Sequence, residues 1–391
     1  MRKRLVSALI LFSTVLSFNP ANAFLAASSI PPVFDKLLDT TALANPAMIV
    51  IDQQTGEVVY ERLADSPRKP ASVMKLLSAA ATIEYLDLTS RFTTSVSLGQ
   101  DERTLIIRGS LDPWLSTAAI AAKKMHRTSI PNIGLSSIKA LKAVNAGSLQ
   151  HIKVLYAGLY ASDIANLKKF WKKSNFKPYF QKISLEEAQN NGVTPILEST
   201  SPTVQQILNY TMLNSDNVLS ERLARLASIS AGHPNDVSGV TITFETLLAT
   251  LNIDATSLVV ADASGLSKKN KVTARMIGQL LLNLRKDSKF SSIYTDLPVS
   301  GVSGTLKDRF IETAPNAVGL IHAKTGTLNG TVTLAGYVQS AEREYIFVTL
   351  ADNIPKGYTA TNKARSAIDR ILGRIAAPNI PAEISEAQTL P

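Results

Sequence analysis

The chain has no cysteine in its 391 residues. Disulfides are therefore excluded, and a hydrophobic core must hold the fold alone. With 45% hydrophobic residues, the length allows a large core and more than one domain. Histidine is nearly as scarce: His126, His151, His233 and His322 are scattered, with no His-Glu-x-x-His or other metal spacing. No metal and no cofactor are expected, and nothing marks a Ser-His-Asp triad. His322 is the histidine to follow, two residues before Lys324 and on the same strand face. Aromatics make up only 6%, and the chain carries no nucleic-acid-binding motif or aromatic stripe, which argues against nucleic acid as a partner. No period of 20 to 50 residues recurs, so repeat architectures are excluded.

The longest apolar stretch, "LVSALILFSTVLSF", has 14 residues and is short for a membrane span. It follows the basic "MRKR" and precedes Ala21-Asn22-Ala23, so residues 1–23 read as an export signal. The mature chain is expected to be secreted, starting near Phe24, with no membrane anchor after cleavage. Loss of Arg2, Lys3 and Arg4 lowers the formal charge from +10 to +7. That surplus suits a polyanionic surface outside the cell, or an ordinary solvated surface. The end, residues 377–391, is Pro-rich without amphipathic pattern and reads as a disordered tail.

Residues 47–60, "AMIVIDQQTGEVVY", read as two strands around Thr55-Gly56. Residues 320–353 read as three strands, and 359–376 as a helix opened by a threonine cap. Strands from both ends of the chain imply one sheet closed by both termini, with helices packed on it. Between them, 93–109 reads as a hairpin, 115–125 and 135–144 as helical, and 151–158 as a strand. The basic aromatic run "NLKKFWKKSNFKPYFQK" (166–182) is either a cationic patch for an anionic polymer or a solvated loop with buried aromatics. Residues 94–197 are expected to form a small inserted domain between 24–93 and 198–376.

Ser-x-x-Lys occurs four times, starting at Ser66, Ser72, Ser136 and Ser174. Lys69 precedes Pro70 and Lys177 precedes Pro178, which places those two pairs on helix breakers. Ser72 and Lys75 open an apolar-periodic segment and would share a helix face. By itself that pair is as well explained by a helix cap and a solvated lysine. Two further triplets alter the balance: Ser215-Asp216-Asn217 at the start of an amphipathic helix, and Lys324-Thr325-Gly326 on an expected strand. A chance Lys-Thr-Gly arises roughly once in ten chains of this length, but all three motifs in order on suitable elements are much rarer.

This set resembles the serine SxxK peptidases, the penicillin-binding proteins and related β-lactamases. "PASVMKLLSAAATIEYL", "RGSLDPWLS", "SPTVQQILNYTMLNSDNVLSERL", "DASGLSKKN" and "LPVSGVSGTLKDRF" follow in the order of D-alanyl-D-alanine carboxypeptidase/endopeptidases of the low-molecular-mass class C type. The likeness spans most of residues 40–375. It departs in two places. Lys75 to Ser215 spans 140 residues, less than in members with two inserted domains, and Ala263 stands where the family has glycine.

The resemblance implies an α/β fold: a transpeptidase-like domain with a central antiparallel sheet flanked by helices, plus a smaller inserted α/β domain. It implies a Ser72 nucleophile with Lys75 as its base, neutral through burial and the nearby Lys324. Ser215 would relay the proton, and Asn217 would bind the substrate's backbone. Lys324 and Thr325 would take an anionic substrate end, Gly326 would let a backbone approach, and the N–H groups of Ser72 and Thr327 would form the oxyanion hole. Asp216 is expected to cap its helix, and Asp262 with Ser264 to build a turn. The implied reaction is cleavage of D-Ala-D-Ala ends of peptidoglycan stem peptides, with peptide cross-links open as a second substrate and β-lactams as inhibitors. A β-lactamase and a non-catalytic wall-binding protein are the alternatives. No Glu-x-x-Leu-Asn motif is present for the former; "ETLLATLN" (245–252) comes nearest.

Overall fold

The computed structural model describes residues 30–117, 119–124, 127–341 and 343–376. The expected export signal, the expected tail and His126 lie outside them. Strands are numbered in chain order. One sheet comprises β1 (Ala47–Asp52), β2 (Val58–Arg62), β8 (Ile321–Leu328), β9 (Thr331–Ser340) and β10 (Arg343–Ala351), in the order β2-β1-β10-β9-β8. All its pairings are antiparallel, and Ala47 opposite Leu350 joins the start of the chain to its end.

The central strands are apolar throughout because both faces are covered. Ile49, Ile51, Ile346, Val348 and Leu350 point into a core built with the helices Lys75–Tyr85, Asn217–Ser230, Val237–Thr250 and Ala274–Lys286. The alternate residues Met48, Val50, Tyr345 and Phe347 face a second core, closed by the helices Ile30–Leu38 and Tyr358–Ala376.

The other sheet holds β3 (Thr93–Leu98), β4 (Thr104–Gly109), β5 (Lys153–Ala157), β6 (Tyr179–Lys182) and β7 (Thr194–Thr200), in the order β6-β5-β4-β3-β7. Here β3 is antiparallel to β4 and β7, whereas β4, β5 and β6 are parallel. Parallel neighbours need crossovers, and the helices Ile130–Val144 and Ala161–Lys173 supply them. Their apolar faces meet the sheet around Trp171, which is fully buried and donates its indole N–H to Gly134 O at 3.0 Å.

Several elements differ from the sequence reading. The helix expected at 135 starts at Ile130, because Ser129 caps it and Pro131 fits its first turn. Residues 166–182 are mostly regular structure, the end of a helix and β6 joined by the short connection 174–178. Trp171 and Phe176 are buried, whereas Tyr179, Lys168, Lys169, Lys172 and Lys173 are exposed. β7 runs to Thr200, three residues beyond the expected boundary at 197, and pairs with Thr93.

Arg222 joins the two sheets' surroundings. From the helix Asn217–Ser230 it reaches the carbonyls of Asp112, Pro113 and Leu115, and it pairs with Asp163 at 2.5 Å. Both partners are buried.

Candidate active site

Pro70 fixes the entry to the nucleophile segment, and Ala71 follows with φ +46. A 3₁₀ turn over Ala71–Met74 then runs into the helix Lys75–Tyr85. The Ser72 hydroxyl caps neither element. It is turned to Lys75, whose Nζ lies 2.9 Å from Ser72 Oγ, 2.7 Å from Asn217 Oδ1 and 2.6 Å from the Ser264 carbonyl. The other three Ser-x-x-Lys pairs do not assemble in this way: Lys69 is tied to Asp352, and Lys139 and Lys177 are exposed.

The arrangement suits a neutral amine. A neutral lysine has two N–H groups and one lone pair, and Asn217 Oδ1 and Ser264 O accept the two N–H groups. The lone pair is then left for the Ser72 hydroxyl proton. The electrostatics shift the amine in that direction. Burial pushes Lys75 down to about 8, against the opposing pull of Asp262, Asp216 and Glu221. The expected contribution of Lys324 falls the other way round: Lys324, also completely buried, is itself driven well below the ordinary lysine range, first by burial and then by Lys75.

Ser-Asp-Asn occupies a helix junction. Ser215 ends the helix Val204–Asn214 in the left-handed region (φ 57), Asp216 caps the next helix by accepting from Leu219 N at 3.0 Å, and Asn217 is that helix's first residue. The turn at Ser215 directs its hydroxyl to Lys324 Nζ, 2.9 Å away. Lys324 also donates to the Thr325 carbonyl at 3.1 Å.

β8 is an edge strand. Ala323 N donates across that edge to Pro298 O, and Ile321 O accepts from Ser300 N. Alternation therefore puts the N–H groups of Thr325 and Thr327 on the same open edge. Gly326 faces the sheet interior at the closest approach. A Cβ there would stand 2.1 Å from Thr333 Oγ1 and 2.9 Å from Pro70 O, so the glycine admits the nucleophile turn itself. Thr333 Oγ1 fixes that turn by donating to Pro70 O at 2.7 Å.

The loop 262–267 supports the amine from below. Burial alone would raise Asp262, but N–H groups of Ser267, Gly265 and their neighbours hold it below the usual carboxylate range. Ala263 is accommodated where the family has glycine: it is buried, and its carbonyl accepts from Ser78 and Ser220 hydroxyls. Gly265 has φ +83 and lies against the Ala71 carbonyl, leaving no room for a Cβ. His322 stands apart, stacked on Tyr294 with ring centroids 4.3 Å apart.

Ser72, Ser215, Thr325 and Thr327 line a cleft of about 1020 Å³. Lys324 is fully buried and is not in its wall. Three residues that the motifs did not single out complete the site. Glu221 Oε1 accepts from the N–H groups of Ala263 (2.5 Å) and Ser264 (3.0 Å). Thr305 shares a hydrogen bond with Thr325, Oγ1 to Oγ1, at 2.7 Å. Arg365 donates to Thr327 Oγ1 at 3.1 Å. Among the described residues no group of three His, Asp or Glu side chains is placed to hold a metal ion.

Residues 33–144 and 158–375 match the D-Ala-D-Ala carboxypeptidase 3 (S13) family. Carboxypeptidase DacB of Mycolicibacterium smegmatis is 27% identical over 381 residues, covering 85% of this chain and 83% of that protein. A D-alanyl-D-alanine carboxypeptidase of an Actinomadura species is 24% identical over 460 residues, covering 88% of this chain and 85% of that one. In three dimensions, penicillin binding protein 4 (dacB) from Haemophilus influenzae aligns with a TM-score of 0.64 at 16% identity, covering 87% of this chain and 97% of that chain. At that identity the likeness is one of fold.

Proposed function

The chain belongs to the D-Ala-D-Ala carboxypeptidase (S13) family, and from that premise we propose that Ser72 carries the acyl-enzyme of a serine D,D-carboxypeptidase acting on peptidoglycan stem peptides. The observation that carries this reading is the 2.9 Å approach of Lys75 Nζ to Ser72 Oγ, with the amine's other contacts already taken.

Ser72 Oγ attacks the carbonyl carbon of the penultimate D-Ala while its proton passes to Lys75 Nζ. The developing oxyanion is held by the Ser72 and Thr327 N–H groups. The C–N bond then breaks, and the leaving D-Ala amine takes a proton relayed through Ser215 Oγ, which Lys324 holds in place. Water attacks the ester and gives its proton to Lys75. The C–Oγ bond breaks, and Ser72 recovers a proton. Asn217 has its amide N–H₂ left to meet the substrate backbone, because its Oδ1 is held by Lys75.

Action on stem peptides places the protein outside the cytoplasm, at the cell wall. No helix among the described residues is long and apolar enough to cross a membrane. β-Lactams would acylate Ser72 as substrate mimics, and penicillin binding protein 4 (dacB) from Haemophilus influenzae, which is similar in fold, has been solved with a β-lactam bound. A β-lactamase reading has no observation in its favour: Glu245 is exposed on the helix Val237–Thr250 and does not line the cleft. A purely binding role leaves unexplained two buried lysines that contact the two serines. The test is release of D-alanine from a diacyl-D-Ala-D-Ala peptide. The wild type should release it and Ser72→Ala should not; equal release by both would overturn the assignment.

A further inference from the structure

Lys75 Nζ has two acceptors besides Ser72, and both depend on one helix. Asn217, the first residue of the helix Asn217–Ser230, binds the amine through Oδ1 at 2.7 Å. The Ser264 carbonyl binds it at 2.6 Å but belongs to the loop 262–267, where a carbonyl keeps its aim only if the peptides around it are fixed. Glu221 stands four residues after Asn217 on the same helix face. Its Oε1 accepts from the N–H groups of both Ala263 and Ser264, at 2.5 and 3.0 Å. The neighbouring Ser220 hydroxyl donates to the Ala263 carbonyl at 2.9 Å, as Ser78 does at 2.6 Å from the helix that carries Lys75. Asp262 Oδ1 accepts from the Ser264 and Gly265 N–H groups at 3.0 and 2.6 Å. Glu221 is thus the carboxylate that ties this loop, through two consecutive N–H groups, to the helix that also supplies Asn217.

A neutral lysine has one lone pair, so the directions of its two N–H bonds decide where that pair points. A Ser264 carbonyl free to turn would leave the second N–H bond, and with it the lone pair, undirected. We propose that Glu221 is a positioning residue for the catalytic amine, holding the Ser264 carbonyl on Lys75 Nζ and so aiming the lone pair at the Ser72 hydroxyl. This rests on the acyl-enzyme reading above and adds to it a residue outside the three motifs.

The placement has an electrostatic cost. Lys75 is faced by Asp216 from the helix junction, Glu221 from the helix, Asp262 from the loop and Lys324 from β8. Burial disfavours the ammonium, and the three carboxylates favour it. Glu221 is itself raised by burial and by Asp262, against the Ala263 N–H, Arg225 at 3.8 Å and the Ser264 N–H. Tyr156, Tyr160, Lys182 and Arg222 share with it the wall of a cavity of about 590 Å³, and Arg222 is already paired with Asp163. The oxygen of Glu221 therefore serves the neutral amine, whereas its charge works against it.

The experiment follows the first-order rate constant of acylation in excess penicillin as a function of pH, in the wild type, Glu221→Gln and Glu221→Ala. That constant does not depend on how much of a preparation is folded. Glutamine keeps an accepting oxygen and removes the charge. Its plateau rate should stay close to that of the wild type, and its midpoint should move to lower pH by about one unit, the usual effect of removing one nearby charge. Alanine removes the oxygen as well, and its plateau should fall roughly 10-fold or more, as for a lost buried hydrogen bond. A role confined to stability would leave the midpoint in place. An unmoved midpoint in Glu221→Gln, or a wild-type plateau in Glu221→Ala, overturns the inference and leaves Ser72 as the nucleophile. If Glu221→Ala does not fold, the glutamine midpoint decides alone. Absence of acylation of the wild type at any pH overturns the acyl-enzyme reading, and this inference with it.

Discussion

Lys324 Nζ donates to Ser215 Oγ at 2.9 Å from a position entirely out of water. The sequence reading gave Lys324, with Thr325, an anionic substrate end; the contact adds that Lys324 holds Ser215. Replacing it with methionine keeps the volume and removes the donor. Lys324→Met should lower kcat/KM by roughly 10- to 100-fold, as for loss of a charge-assisted bond. The ratio of kcat/KM for diacyl-D-Ala-D-Ala to that for its C-terminal amide should stay at its wild-type value. A collapse of the ratio would return Lys324 to the carboxylate.

The second prediction concerns pH. Acylation requires neutral Lys75, whose value is lowered by burial to about 8 from the ordinary 10.5. Below that value most of the amine is protonated, so the acylation rate should rise about tenfold per pH unit and level off above pH 8. An ordinary lysine would give a profile still climbing at pH 10. Lys75→Arg should abolish the rise and lower acylation by orders of magnitude, because guanidinium does not release its proton.

Gly326 gives a steric prediction. A methyl group there must displace Thr333 or lift the strand from Pro70, and Thr333 is buried and bonded to that residue. Gly326→Ala should cost about 1–3 kcal/mol, the usual range for overpacking, and should slow acylation by more than the stability loss accounts for. Urea midpoints and acylation rates on the same preparation check this. Wild-type acylation would mean that the nucleophile turn tolerates the shift.

We propose that residues 93–200 form a unit inserted into the first sheet's domain and clamped to it by Arg222. Burial raises Asp163 while Arg222 opposes it, so removing the arginine strands a buried carboxylate. Arg222→Ala should destabilise the protein by about 3–5 kcal/mol. Limited proteolysis of the variant should cut near 93 and 200 before it cuts within 47–62 or 321–351. Early cleavage inside those strands would contradict this division of the chain.

The motifs made most of the candidate site legible, because local structure supplies the spacing that brings those side chains together. Ser72 and Lys75 sit one turn apart, and Ser215 to Asn217 fill one helix junction. The first sheet was legible from the apolar runs of its strands. β6 and β7 were not: Tyr179–Lys182 has four residues, and Thr194–Thr200 contains Pro195 and buries no side chain fully. Neither offers the alternation by which a strand is recognised. Arg365 carried no local signal either. It becomes informative only when the last helix lies against Thr327, 38 positions earlier in the chain.

The central claim is that Ser72 is the nucleophile. Peptide mapping by mass spectrometry after incubation with penicillin tests it most directly, because a covalent adduct records which oxygen attacked. The account predicts a gain of one drug equivalent, located on the peptide containing 70–75 and absent from Ser72→Ala. No adduct, or an adduct on Ser66, Ser136 or Ser174, would contradict it.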